Sequence, residues 1–208
     1  ATGYSMRNLL TAFAVTSGFA LLSPSIAEAG GVGVTMGAGL HQDRAYYYRD
    51  DGAQGIDKQT PANSAVGAEL LLGDRDDRII GLVRGYVSHD ASLKNPDPKA
   101  LGEDMSYEYI YPDVEEKGGR NVGVASVGIQ WTLWGDPGGF QLIANSLIGS
   151  GFWTTDNLEY ALFEAGVGVT YTMNERFQLM GSLDATGRFR KRLDLGGDVW
   201  ISGRYMFD

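Results

Sequence analysis

From Gly30 onward, apolar and polar residues alternate along this chain with a period of two. Near its end, Val199, Ile201, Gly203, Tyr205 and Phe207 fall on one side of an extended segment, and Asp198, Ser202 and Arg204 on the other. The segment before it repeats the pattern: Phe177, Leu179, Gly181, Leu183 and Ala185 oppose Gln178, Ser182, Asp184, Thr186 and Arg188. Side chains of a strand point alternately to its two faces, so each segment predicts a strand between an apolar and a polar environment. Six further segments read the same way: near Val32 to His41, Ser64 to Gly73, Arg78 to His89, Asn121 to Trp134, Gly139 to Trp153, and Glu159 to Met173. Leu70-Leu71-Leu72 and Ile79-Ile80 blur the alternation in the second and third of these.

The connections divide into two kinds. Asp74-Arg75-Asp76-Asp77, Asp136-Pro137-Gly138 and Asn174-Glu175 are short and carry residues that favour tight turns. Between them lie Asp43 to Asn63, Asp90 to Gly119, Thr154 to Leu158, and Lys191 to Gly197, expected to be loops. Short turns at one end and longer loops at the other are the asymmetry of a membrane barrel. Eight antiparallel strands close without leaving an edge. The predicted fold is therefore all-β: an eight-stranded antiparallel up-and-down transmembrane β-barrel over residues 30–208.

A soluble barrel of eight strands would turn its apolar face inward and set water-facing residues, lysine among them, on the outside. The five lysines here, Lys58, Lys94, Lys99, Lys117 and Lys191, all fall in predicted loops, which favours lipid as the outer solvent. The polar face carries Thr35, Gly37, Gly39, Glu69, Arg84, Ser126, Gln130, Asn145, Glu164, Thr170, Asp184 and Arg204. That set suits a narrow lumen in which acids and arginines pair; Glu69, Arg84, Glu164, Asp184 and Arg204 are the expected polar network. Aromatic residues of the apolar face gather beside the short turns, and Trp131, Phe140, Tyr171, Phe177, Tyr205 and Phe207 are expected to form an interfacial girdle.

The first residues read as an address. Met6-Arg7 is followed by an apolar run reaching Leu21-Leu22, then Pro24, then the small-x-small site Ala27-Glu28-Ala29. Residues 1–29 are expected to be an N-terminal extension and a cleavable signal peptide, with cleavage before Gly30. The run is interrupted by Thr11, Thr16, Ser17 and Gly18 and is short for a membrane helix.

Composition narrows the chemistry. With no cysteine there is no disulfide, thiolate metal site or Cys-linked lipid. A formal charge of -9 argues against a nucleic-acid partner. Only His41 and His89 are available as imidazoles, too few for a His-rich metal centre; no metal and no cofactor is expected.

The chain resembles the small outer-membrane barrels of the OmpA/OmpX kind. The likeness is architectural, and its most specific element is Gly203-Arg204-Tyr205-Met206-Phe207, similar to the terminal signal read by the barrel-assembly machinery; here Asp208 follows the aromatic residue. The resemblance implies residence in the bacterial outer membrane after export through the periplasm. It also implies contact with membrane lipid and lipopolysaccharide, the assembly machinery as a partner during biogenesis, and a monomer.

Fold does not fix function. Some barrels of this class modify lipid A with a His, a Ser and an acid. Ser88, His89 and Asp90 adjoin in sequence, but Ser88 and His89 point to opposite faces of a strand, so no catalytic residues are assigned. His41 is placed to meet Asp198 inside the barrel. Arg188, Arg190, Lys191 and Arg192 form one basic cluster near the outer end, a candidate contact for lipopolysaccharide phosphate. The alternative for that cluster is a solvated loop with inward pairing to Asp198 or Asp194. Asp97, Glu103, Asp104, Asp113, Glu115 and Glu116 make the longest loop acidic, without the spacing of a cation site. Tyr46-Tyr47-Tyr48 and the alternating Met105, Tyr107, Tyr109 and Tyr111 suggest strands projecting above the membrane. The expected function is a non-enzymatic outer-membrane protein, structural or surface-binding, acting through loops 43–63 and 90–119. The alternatives are a narrow pore, then a lipid A-modifying enzyme needing a serine beside His41 or His89, then a soluble ligand-binding barrel with an apolar interior.

Overall fold

The computed structural model describes residues 30–48, 54–91, 120–153, 158–189 and 193–207. Ten strands form among them: β1 (Gly30–His41), β2 (Asp43–Tyr48), β3 (Gln54–Gln59), β4 (Ala62–Leu72), β5 (Ile79–Asp90), β6 (Arg120–Gly135), β7 (Phe140–Trp153), β8 (Leu158–Thr172), β9 (Phe177–Phe189) and β10 (Leu193–Met206). Eight of them close a barrel in the order β1-β10-β9-β8-β7-β6-β5-β4, each antiparallel to its neighbours. β2 and β3 pair only with each other, as a hairpin between β1 and β4.

Each of the eight predicted segments is a barrel strand, the strand expected at Tyr46-Tyr47-Tyr48 is part of β2, and one connection, Lys191 to Gly197, differs from expectation. The first long loop contains the β2–β3 hairpin, which carries Lys58. The barrel strands themselves contain no lysine. The last strand starts at Leu193 rather than near Asp198, and Leu193 and Leu195 continue the outward apolar row of Val199 and Ile201. Gly196-Gly197 had suggested a loop, but both glycines pair in register, with His41 and Ala185. The predicted signal region, the acidic loop 92–119 and residues 190–192 lie outside the described residues.

The barrel's size follows from its register. Paired residues followed from Gly31 through Leu71, Leu82, Gly128, Leu147, Glu164, Thr186 and Gly196 return to β1 at His41, ten residues beyond the start. With strands about 4.8 Å apart and a rise of about 3.3 Å per residue, that stagger tilts the strands by about 40° and sets a backbone radius of about 8 Å. An interior so narrow is filled by side chains.

The short turns are held by local bonds. The Asp77 amide donates to the Asp74 carbonyl at 3.0 Å, the Gly139 amide to the Asp136 carbonyl at 3.0 Å, and the Arg176 and Phe177 amides to Asn174 Oδ1 at 2.9 Å each. Gly135 closes β6 at φ 108°, where a Cβ would collide with the Phe140 carbonyl. Gly30 and Phe207 are joined at this same end by a 2.7 Å backbone bond.

Many glycines serve the interior. Gly37 is the register partner of Trp200, Gly67 of Tyr86, and Gly151 of Tyr160. At each, an added Cβ would run into the neighbour's side chain. A large lumen side chain thus lies across the bare backbone of the next strand, which is how a narrow barrel accommodates it.

Candidate functional site

The two faces of the wall are now distinguishable. Val199 and Ile201 are 50% and 59% exposed on the outside, while Ser202 and Arg204 are 0% and 1% exposed inside. Val167, Val169, Leu179 and Leu183 also stand outside, and Thr170, Ser182 and Asp184 inside.

In the middle of the lumen is a charged network drawn from five strands. Glu69 and Arg84 face each other across β4 and β5, and Arg84 Nε donates to Glu69 Oε1 at 2.9 Å. Arg84 Nη1 reaches across the barrel to Glu164 Oε2 at 3.1 Å and Asp184 Oδ2 at 3.0 Å. Arg204 Nε donates to the other Glu69 oxygen at 3.0 Å, and Arg204 Nη1 to Gln130 Oε1 at 2.9 Å. Glu69 therefore bridges two guanidiniums, and Arg84 gathers three carboxylates. All five side chains are essentially withdrawn from solvent. Buried charge is tolerated only when paired, and every charge here has an opposite partner within 3.1 Å, although Arg84 Nη2 and Asp184 Oδ1 make no hydrogen bond.

Aromatic and aliphatic groups pack the space around the network. The Trp200 ring lies under Arg84, with the guanidinium carbon 4.7 Å from the ring centroid, and meets Tyr86 edge-on at 4.8 Å. Tyr86 Oη donates to Glu164 Oε1 at 2.8 Å. Tyr86, Val122, Val124, Tyr160, Leu162 and Trp200 form one buried cluster, and Leu71, Ile80 and Met206 a second beside the short turns. The interior is thus less purely polar than the sequence suggested. Trp200 occupies an inward position by strand phase, between Asp198 and Ser202, and that phase was the available signal.

A second polar group lies at the opposite end from the short turns. His41 Nε2 is 2.9 Å from Asp198 Oδ1, and Asp198 also accepts from Thr186 Oγ1 at 2.7 Å and Asn63 Nδ2 at 3.2 Å. Nearby in the fold, Arg188 Nη1 donates to Asp90 Oδ2 at 3.0 Å, Ser88 Oγ to Asp90 Oδ1 at 2.9 Å, and the Arg188 guanidinium carbon lies 5.0 Å from the Tyr160 ring centroid. This corrects the lipopolysaccharide reading for Arg188, which is 8% exposed and turned inward; it pairs inside the barrel as the alternative held, with Asp90 rather than Asp198 or Asp194. Phase again explains it, because Arg188 follows Asp184 and Thr186 on the inner face of β9. Arg190, Lys191 and Arg192 lie outside the described residues.

His89 sits on the outer face, with Nδ1 2.8 Å from Asn121 Oδ1. Its register neighbours are Ser64 and Asn121, so a serine does stand beside this histidine. No hydrogen bond joins Ser64 to His89 among the described residues. Ser88 is turned inward, as the alternation required. Among the described residues no three His, Asp or Glu side chains are arranged to hold a metal ion.

Around the short-turn end, Phe140 packs on Tyr171 at 5.9 Å, Phe177 on Tyr205 at 5.3 Å, and Tyr205 on Phe207 at 5.8 Å between ring centroids. Trp131 is half-buried beside Ala144 on the same outer face. Sequence reasoning overlooked Phe152, Phe163 and Phe189, which are exposed on β7, β8 and β9 toward the other end. Their outward phase was readable in the same alternation.

An apolar, uncharged outer wall around a charged, paired interior defines a barrel whose outer solvent is lipid. No protein-family model matches the chain, and no curated protein does. Among solved structures it is similar to the crystal structure of Neisserial surface protein A, at 9% sequence identity and a TM-score of 0.45, over 85% of this chain and 97% of that one.

Proposed function

We propose that this protein is a non-enzymatic resident of the bacterial outer membrane. Its barrel is a closed anchor, and its function lies in the segments carried beyond the barrel, the β2–β3 hairpin and the connection between β5 and β6. The observation that carries this reading is the filled lumen. Arg84, Glu69 and Arg204 span it, with Trp200 and Tyr86 packed on one side and Leu71, Ile80 and Met206 on the other. A solute would have to break several desolvated ion pairs to pass. Lipid and lipopolysaccharide are the surroundings such a wall fits, a monomer is the form it needs, and the assembly machinery is the partner that would insert it.

Planar-bilayer recording of the purified protein tests this. No steady conductance is expected; discrete single-channel steps would replace the anchor with a pore. The enzymatic alternative rests on Ser64 beside His89. Incubation with a fluorophosphonate, which labels activated serines, is expected to leave Ser64 unmodified. Labelling that is lost in His89→Ala would make the outer rim an acyl-transfer site instead.

A further inference from the structure

The apolar band of the outer wall is not equally tall all round. β4 and β8 stand four strands apart in the ring of eight, as do β5 and β9, so the members of each pair lie on opposite sides of the barrel. The Arg84–Asp184 bond crosses the lumen between β5 and β9. On β4 the outward apolar row runs from Leu72 to Val66, and on β5 from Ile79 to Val87. With strands tilted by about 40°, these rows are about 15 Å and about 20 Å tall. On β8 the row runs from Met173 to Ala161, and on β9 from Phe177 to Phe189. Each of those is about 30 Å tall by the same rise.

What ends the short rows is polar. Ser64, His89 and Asn121 are register partners across β4, β5 and β6, all three are exposed on the outer face, and His89 Nδ1 lies 2.8 Å from Asn121 Oδ1. The stagger of the barrel, shared over its strands, raises each register step by about 3 Å along the axis. That puts Ser64 level with Phe163 and Ala161 on the far side, and His89 level with Phe189. Phe163 and Phe189 are 51% and 56% exposed. A hydroxyl, an imidazole and an amide thus face outward on one side at the height where phenyl rings do so on the other. At the short-turn end, Ile79 and Phe177 begin nearly level, and Met173 reaches further down than Leu72. A lean of the whole barrel would shift both boundaries of one side together, so it does not account for the difference.

We propose that the outer leaflet dips beside β4 and β5, where lipid headgroups meet Ser64, His89 and Asn121, and stands higher beside β8 and β9. The dip rests on the membrane reading given above. Acyl chains offer these three side chains no hydrogen bond, whereas headgroup oxygens and their water do. A bilayer adjusts its local thickness to the apolar surface it meets at modest cost. The usual band of such barrels, about 25 Å, lies between the heights of the two sides. The connection that holds β2 and β3, and the one between β5 and β6, both leave the barrel on the low side. The segments assigned the function therefore rise where the membrane surface is lowest.

The chain has no cysteine, so single nitroxide labels can be placed at chosen sites. In vesicles of dimyristoylphosphatidylcholine, depth is read from collisions with oxygen, which concentrates among acyl chains, against those with a water-soluble nickel chelate. Labels at Ser64→Cys and His89→Cys are expected to give an oxygen-to-nickel ratio several-fold below labels at Phe163→Cys and Phe189→Cys. Should Phe189→Cys fail to fold, Ala161→Cys reads the same level. At the short-turn end, Ile79→Cys and Phe177→Cys are expected to read alike. Equal ratios across the barrel at the outer end overturn the dip. So does a reversed split at the short-turn end, which a leaning barrel gives, or a His89 label shielded from both reagents, which means that protein rather than headgroups covers it. Failure of labels at Leu183 and Val199 to meet oxygen would instead overturn the membrane reading.

Discussion

Leu183 and Asp184 are consecutive in β9. Leu183 is 63% exposed on the outer wall, while Asp184 is 3% exposed and bonded to Arg84 across the lumen. The difference teaches that the wall has two independent chemistries separated by one peptide unit. Outside, side chains interact with a non-directional apolar solvent and with cross-strand neighbours, so many apolar residues serve equally well. Inside, each charged group depends on named partners with fixed directions, and little substitutes for them.

The sharpest way to break this contrast is Arg84→Ala. It leaves Glu69, Glu164 and Asp184 buried together without their shared cation, and a cost of about 3–5 kcal/mol is expected. Urea unfolding in lipid vesicles reads it as a lowered midpoint. A shift no larger than that of an outer Val→Ala change would mean the network carries little of the fold.

Leu183→Arg attacks the other face. A cation placed on the lipid side should cost about 2–4 kcal/mol near the bilayer midplane. Folding efficiency into bilayers, compared with Ser182→Arg, measures whether the penalty follows the assigned face. Equal penalties for the two would erase the distinction between outside and inside.

Gly37→Leu probes the packing of lumen residues on bare backbone. A Cβ at Gly37 would approach the Trp200 ring to 2.7 Å, so overpacking by about 1–3 kcal/mol is expected. Trp200→Leu in the same chain should recover much of it. A double-mutant cycle with no coupling between the two sites would refute the glycine–aromatic pairing.

The smallest expected effect belongs to the girdle. Tyr205→Leu keeps an apolar outer side chain but removes ring contacts to Phe177 and Phe207, worth about 0.5–1.5 kcal/mol each. A modest fall in unfolding midpoint without change in slope is expected. A loss as large as that of Arg84→Ala would show the outer face to be as specific as the lumen.

What could be read in the chain follows from the range of each interaction. Alternation is local, since the phase of a strand is visible within four or five residues. Hence the eight segments, the outward row ending at Ile201 and Tyr205, and the inward placing of Glu69 and Arg204 were all legible. The Glu69–Arg84 pair was legible too, because a tight turn sets the register of the two strands it joins. Phase also held the signals for Arg188 and Trp200. Arg188 was placed on the polar side by that phase, yet was also grouped with the basic residues that follow it; Trp200 was given no side.

The sequence by itself therefore determined the strands, their two faces and the neighbours across each short turn. Only the tertiary structure decided which side chains meet across the lumen: Arg84 with Glu164 and Asp184, Arg204 with Gln130, Arg188 with Asp90. These depend on the ten-residue stagger at which the sheet closes on itself. That stagger is a property of all eight strands together, because each contributes only its own offset to the sum, and no single segment records where the ring will meet.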